Sequence, residues 1–225
     1  MACTKRLLII ALAVVLSACE MAGKKAVDSA ADETEVQSES DGTEKIAALP
    51  NPYLAQSVDV PREAAAEFNR ALTAMENGDW EKAEGMLFLL TETWPNLSGP
   101  WVNLGIAQAQ QKKWQDAEAS FTKAINVNAL NGDAYTHLGV LYREQGKFAE
   151  AETTYLKALE VWPHNPDALR NLGILYDLYM GKLAQALAQY QLLAKILPEE
   201  DRKLKGWIID LERRVEDAQP EAATE

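Results

Sequence analysis

Cysteine is nearly missing from this chain: Cys3 and Cys19 are the only two. Both fall in the first 20 residues, so no disulfide can staple the remainder, and its stability must come from packing. Histidine is as scarce. His137 and His164 stand on different elements, and neither has a second ligand at metal spacing, so no metal site is expected. A Gly-rich phosphate loop, a nucleophile elbow and an HExxH helix are all lacking, which argues against an enzyme and against a cofactor. Long apolar runs are absent apart from Leu7 to Leu16, roughly half of what a bilayer-spanning helix needs. Positive charge is in deficit, with 22 Lys and Arg against 34 Asp and Glu and a net charge of -12. An acidic chain repels polyanions, which excludes nucleic acid as a partner and broad electrostatic attachment to anionic lipid.

The N-terminus carries an address. Lys5 and Arg6 form a basic start, Leu7 to Leu16 an apolar core, and Leu16-Ser17-Ala18-Cys19 a run of small residues ending in cysteine. This order resembles the lipobox of bacterial lipoproteins. The resemblance implies export, a diacylglyceryl group on the Cys19 sulfur, cleavage of the signal peptide 1–18, and acylation of the new amine. An ordinary secreted signal peptide is the alternative. Two or more acyl chains, at roughly 0.8 kcal/mol per buried methylene, hold a protein on a membrane stably. Residue 20 is Glu rather than the Asp that favours inner-membrane retention, so the resemblance implies the periplasmic face of the outer membrane. Loss of Lys5 and Arg6 takes the charge from -12 to -14.

Residues 19–61 read as an acidic flexible tether. Glu20 to Glu44 is rich in Ala, Ser, Thr, Asp and Glu and poor in large apolar side chains, too little to offset its ordering entropy. Roughly 40 such residues reach about 35 Å, enough to hold a domain clear of a membrane. Ile46 to Pro61 differs, with Leu49, Tyr53, Leu54 and Val58 among three prolines. It is either an extended linker or a segment that docks.

A period of 34 governs residues 62–198. Small residues recur at Ala71, Gly105, Gly139 and Gly173 and again at Ala83, Ala117, Ala151 and Ala186. Large residues keep step as Trp80, Trp114, Phe148 and Leu183, and as Leu87, Phe121, Tyr155 and Tyr190; Pro95, Pro163 and Pro198 close three of the four units. Two helices in each unit, A and B, would cross closely at the small residues, with the aromatics filling the space beside them. Single units cannot bury their apolar faces, so neighbours must stack. Gly78, Gly146 and Gly181 fall where A turns into B.

The third unit, GDAYTHLGVLYREQGKFAEAETTYLKALEVWPHN, resembles the tetratricopeptide repeat almost position by position. The resemblance implies an all-α solenoid of four helical hairpins, at about 64–97, 98–131, 132–165 and 166–200. The fourth unit has one extra residue in its turn, which predicts a reshaped turn there. Arg70 stands where later units have Leu104, Leu138 and Leu172, as an end repeat with a wetter face requires. Residues 199–216 read as a capping helix over the fourth B helix, with Leu204, Ile208, Leu211 and Val215 on one stripe that either only caps or also forms a homodimer contact. Residues 217–225 read as a disordered tail.

Carried over from the family, the concave protein-binding groove would be lined by Phe68, Leu72 and Met75, then Val102, Asn103, Ile106 and Ala109. The third unit would contribute Thr136, His137, Val140 and Arg143, and the fourth Arg170, Asn171, Ile174 and Asp177. That groove runs from apolar to polar and would take a protein or peptide segment of matching polarity. Alternatively Ile46 to Pro61 covers Phe68, Leu72, Val102 and Ile106. The terminal-carboxylate clamp of chaperone-binding relatives is missing, since Phe68 and Leu72 stand at its positions. Arg143 and Arg170 either receive an acidic group from a partner or pair internally with Asp133, Asp167 or Asp177. These features together predict a membrane-anchored periplasmic adaptor. The alternative is a pilotin-type lipoprotein that assembles a secretion or pilus complex; a ligand carrier or an enzyme has the least support.

Overall fold

The computed structural model describes residues 44–218; the signal peptide, Cys19, the tether as far as residue 43 and the tail from residue 219 lie outside them. Among the described residues every regular element is helical. Four A–B pairs follow one another: α1 (Arg62–Glu76) with α2 (Trp80–Thr93), α3 (Ser98–Gln110) with α4 (Trp114–Val127), α5 (Gly132–Glu144) with α6 (Phe148–Val161), and α7 (Pro166–Ile174) with α8 (Leu183–Ile196). A last helix, α9 (Arg202–Ala218), packs on α8. Each helix packs on the next, and the A helices also touch one another, α3 on α5 and α5 on α7.

The close A–B crossing has a definite shape. A methyl group added at Gly105 would stand 2.6 Å from the Phe121 ring, and one at Gly139 would stand 2.5 Å from the Tyr155 ring; Gly173 meets Tyr190 in the same way. The glycine is therefore a seat for the aromatic ring of the B helix, in addition to a close approach to the small residue there. In the first unit both halves of the contact change together. Ala71 replaces the glycine and Leu87 replaces the ring, and both are fully buried.

Junctions between units carry a polar tie beside the apolar core. Asn131 caps α5 by accepting from the Ala134 N–H at 3.3 Å, and its amide donates to Ser98 Oγ at 2.7 Å in the first turn of α3. Asn165 repeats this 34 residues on: it accepts from Asp167 and Ala168, and its amide donates to Thr136 Oγ1 at 3.3 Å. Asp201 caps α9 through Lys203 and Leu204 and accepts from Arg170 at 3.0 Å. A capped N-terminus satisfies otherwise orphaned amides. A second series links B helices: Lys113 to Glu84 at 2.6 Å, Lys147 to Glu118 at 4.0 Å and Lys182 to Glu152 at 2.6 Å. Burial alone would raise Glu152, but hydrogen bonds from Lys182 and Tyr176 hold its carboxyl below the usual range.

The turns show where the units differ. Gly78, Gly146 and Gly181 adopt left-handed φ values of 76°, 74° and 63°, and Lys112 is forced into the same region at 60°. A side chain there costs about 1 kcal/mol. The extra residue of the fourth unit is absorbed before its turn, where Leu175–Met180 winds as a π-helix. Its wider i→i+5 loop takes in one more residue without shifting the helix that follows.

At the N-terminal end, Arg70 is 66% exposed and, among the described residues, bonded only to Glu67 of its own helix. At the C-terminal end, Leu204 and Leu211 are buried against α8, Ile208 packs on the same core, and Trp207 tilts against Tyr190 at 5.4 Å. The stripe of α9 is thus largely spent inside the molecule.

Residues 44–61 dock. Lys45 Nζ donates to the carbonyls of Ala194 and Leu197, and the Ile46 N–H to that of Lys195, at the end of α8. Leu49 is held on both sides, its N–H donating to His164 Nδ1 at 2.8 Å and its carbonyl accepting from Trp162 Nε1 at 2.9 Å. Asn128 donates to Gln56 Oε1 at 2.6 Å, and the Tyr53 hydroxyl lies beside Gly99. This strap therefore runs backwards over the loops between units, from the fourth to the first, and is not a free linker.

Candidate peptide-binding groove

The groove positions fall on one side of the A helices, and burial divides them. Val102 is 5% exposed and Thr136 4%. The former lies in the core of the second and third units, and the latter is bonded to Gly132 and Asn165. Both are structural rather than groove residues: neighbouring A helices touch, Val102 packs in the core, and Thr136 is tied to Asn165, the N-cap of α7. Phe68, Leu72, Met75, Ile106, Ala109, His137, Val140 and Ile174 remain half-exposed. Asn103 is half-exposed as well, with its amide donating to Gly99 within its own helix.

The fourth-unit positions are bridged by neighbours. Arg143 donates to Asn171 Oδ1 at 3.0 Å, Arg170 to Asp201 at 3.0 Å, and Arg214 of α9 to Asp177 Oδ1 at 2.8 Å. Arg170 is thus neutralised within the chain, whereas Arg143 is held by a neutral amide and keeps its charge. Arg170 pairs internally, with Asp201 rather than Asp133, Asp167 or Asp177. The charged end of the expected polarity gradient is occupied by contacts within the chain.

The open stretch lies between the second and third units. Ile106, Ala109, Trp114, Phe121, His137 and Val140 surround a cavity of about 380 Å³, with Lys112 and Glu144 at its rim. His137 stacks on Phe121, ring centres 5.9 Å apart and planes 13° apart. Burial pushes the His137 imidazole below its ordinary pKa, with Asp133 and Asp167 opposing the shift. Burial likewise raises Asp133. A second apolar cavity of about 350 Å³ lies under the strap, between Tyr53, Val58, Val60 and Phe68. Phe68 thus faces the strap, whereas Ile106 faces open space. Sequence reasoning missed Lys112, Trp114 and Phe121 as cavity residues; the one available signal was Lys112 in a turn slot that the other three units fill with glycine.

Among the described residues no three His, Cys, Asp or Glu side chains gather as a metal ion would need, and no helix is long and apolar enough to cross a membrane.

Known proteins place the fold. Residues 130–199 match the tetratricopeptide repeat family. No curated protein matches the chain significantly. Among solved structures, that of PilF from Pseudomonas aeruginosa is 21% identical and superposes with a TM-score of 0.61 over 68% of this chain and 69% of that one. A thermophilic tetratricopeptide-repeat protein of Thermus thermophilus is 23% identical, with a TM-score of 0.59 over 68% and 83%. MamA from Desulfovibrio magneticus RS-1 is 20% identical, with a TM-score of 0.57 over 71% and 89%. Tetratricopeptide-repeat domains bind peptide or protein partners and are generally non-catalytic scaffolds. Residues 130–199 thus carry the match to the tetratricopeptide repeat family, and the helical hairpins of the described residues share the fold of these solved structures.

Proposed function

We propose that the protein is an envelope adaptor, held by acyl chains on Cys19 at the periplasmic face of the outer membrane, that binds a partner protein segment in its concave groove. The observation that carries the groove reading is the contrast along the A helices. Bridges from Arg143, Arg170 and Arg214 close the groove at the fourth unit, while the junction of the second and third leaves an apolar cavity open. Open apolar surface framed by polar residues is what a partner's anchor side chain needs. Leu72, Met75, Asn103, Ile106, Ala109, His137 and Val140 are the positions assigned to the partner. The anchor rests on the order Lys5-Arg6, apolar run, LSAC.

A photo-crosslinking amino acid at Ile106, compared with one at Thr122 on the B-helix side, tests the groove in intact envelopes. A discrete crosslinked partner from position 106 alone is expected; the same product from both positions overturns the groove reading. Fatty-acid labelling of the wild type against Cys19→Ala tests the anchor, and equal labelling overturns it.

A further inference from the structure

We propose that the cavity between the second and third units is an anchor pocket for an aromatic side chain of the partner, and that Lys112 at its mouth selects an acidic residue next to that aromatic. The inference deepens the groove reading above and rests on it.

Three observations carry it. The cavity is lined by aromatic and aliphatic side chains together: Trp114 and the stacked pair Phe121 and His137 with Ile106, Ala109, Val140 and Leu141. A volume of about 380 Å³ exceeds that of a single water-filled void by an order of magnitude and suits a ring, which prefers offset or edge contacts with other rings. Phe121 also lacks the hydroxyl that Tyr155 and Tyr190 carry at the same place in the next two units, so the wall presents no phenolic group there.

Two of the other valleys are latched, while Met75 and Asn103, at the same positions between the first and second units, form no bridge among the described residues. Between the third and fourth units Arg143 reaches Asn171, and between the fourth unit and α9 Arg214 reaches Asp177. At the second and third units the residues in register with Arg143 and Asn171 are Ala109 and His137, and Ala109 is also in register with Asp177; no such bridge spans them among the described residues.

Lys112 supplies the third observation. Its slot holds glycine in the other units, and its φ of 60° is held at a cost that glycine would avoid. Strain of this kind persists at sites that use it. The neighbouring Lys113 is engaged by Glu84 at 2.6 Å, whereas Lys112 has no ion pair among the described residues. In a chain with a net charge of -12 it is a local cation at the rim of an apolar cavity. Glu144 stands on the same rim without pairing to it, so the rim is polarised and the partner's acid belongs on the Lys112 side.

The test uses the full chain and two end-blocked tetrapeptide probes, alanine-phenylalanine-glutamate-alanine and its glutamine counterpart. Binding is followed by the indole N–H resonances of tryptophan and the ring resonances of histidine. The glutamate probe should shift Trp114 and His137 and bind at least threefold more tightly than the glutamine probe. In Lys112→Gly, which relieves backbone strain, the two probes should bind equally. In Ala109→Trp, which fills the cavity, neither should shift these signals; if that variant fails to fold, the Lys112→Gly comparison decides alone. Probe preference unchanged in Lys112→Gly overturns the selection by Lys112. Shifts confined to residues near Leu72 and Met75 overturn the pocket while leaving the groove reading standing. No shift at all in the wild type overturns the pocket; the groove reading then stands or falls on the crosslink from position 106.

Discussion

The second and fourth units are built on one repeat and use it oppositely. In the fourth, a π-helix absorbs an inserted residue, a glycine makes the turn, and Asp201 and Arg214 at either end of α9 reach the charged residues of α7 and its π-helical extension. In the second, a lysine is held in a glycine conformation, a phenylalanine replaces tyrosine, and the valley beyond it stays open. The difference teaches that the shared contacts at the glycine seats hold the fold, which leaves the concave side of each junction to be either latched or kept available.

The severest way to break the comparison is to attack what the units share. Gly139→Leu drives a side chain into the Tyr155 ring and should cost about 1 to 3 kcal/mol, or more if the ring cannot move. Gly105→Ala should cost toward the low end of that range, and pairing it with Phe121→Leu should recover some of the loss, because the first unit already uses the combination Ala71 with Leu87. Denaturant midpoints of the two single variants and the double variant check both; strict additivity would show that ring and seat are independent.

The junction ties come next. Asn165→Ala removes an N-cap and the bond to Thr136 at once, so a loss of about 1 to 2 kcal/mol is expected in the same assay. Asn131→Ala should behave alike, since the ties are common to the latched and the open junction.

The smaller effects separate the units. Lys112→Gly should raise stability by about 0.5 to 1 kcal/mol, a gain unavailable at the other three turns, and thermal melting measures it. His137 supplies a pH signature. Its imidazole is pushed down by burial in the fold, so as pH falls from 7 through the ordinary 6.5 the unfolded chain takes up the proton first. Stability is full above that value and is lost as pH falls toward the folded one. Asp133, pushed up by burial, acts with the opposite sign, favouring the fold at low pH, but its window opens upward from about 3.8. The thermal midpoint should drop modestly between pH 7.5 and 5.5, and His137→Gln should flatten that drop.

The period of 34 was legible because one contact, a ring on a seat, is remade along the solenoid and leaves its mark at each remaking. The turn insertion was legible for the same reason, as a break in step, although only the structure shows that a π-helix absorbs it. Val102 and Thr136 were misplaced because a family's groove positions say which side of a helix a residue takes, not how tightly the next A helix closes over it. The partner of Arg170 was missed because Asp201 belongs to no repeat. That the strap could dock was legible in Leu49, Tyr53, Leu54 and Val58, but its path was not: Leu49 and Ile46 are held through backbone groups, which leave no pattern in side chains, and the residues that hold them are more than 100 positions away.

That strap decides how the protein answers a mechanical load. A pull on the chain ahead of Lys45 does not act on α1, where the solenoid begins in sequence. It acts on the end of α8, then on Leu49 at His164 and Trp162, then on Gln56 at Asn128, each attachment bearing the force only after the previous one has given way. Bonds loaded in series fail singly, like a zip, at far lower force than bonds loaded side by side. The strap therefore yields as slack before the tension reaches α1.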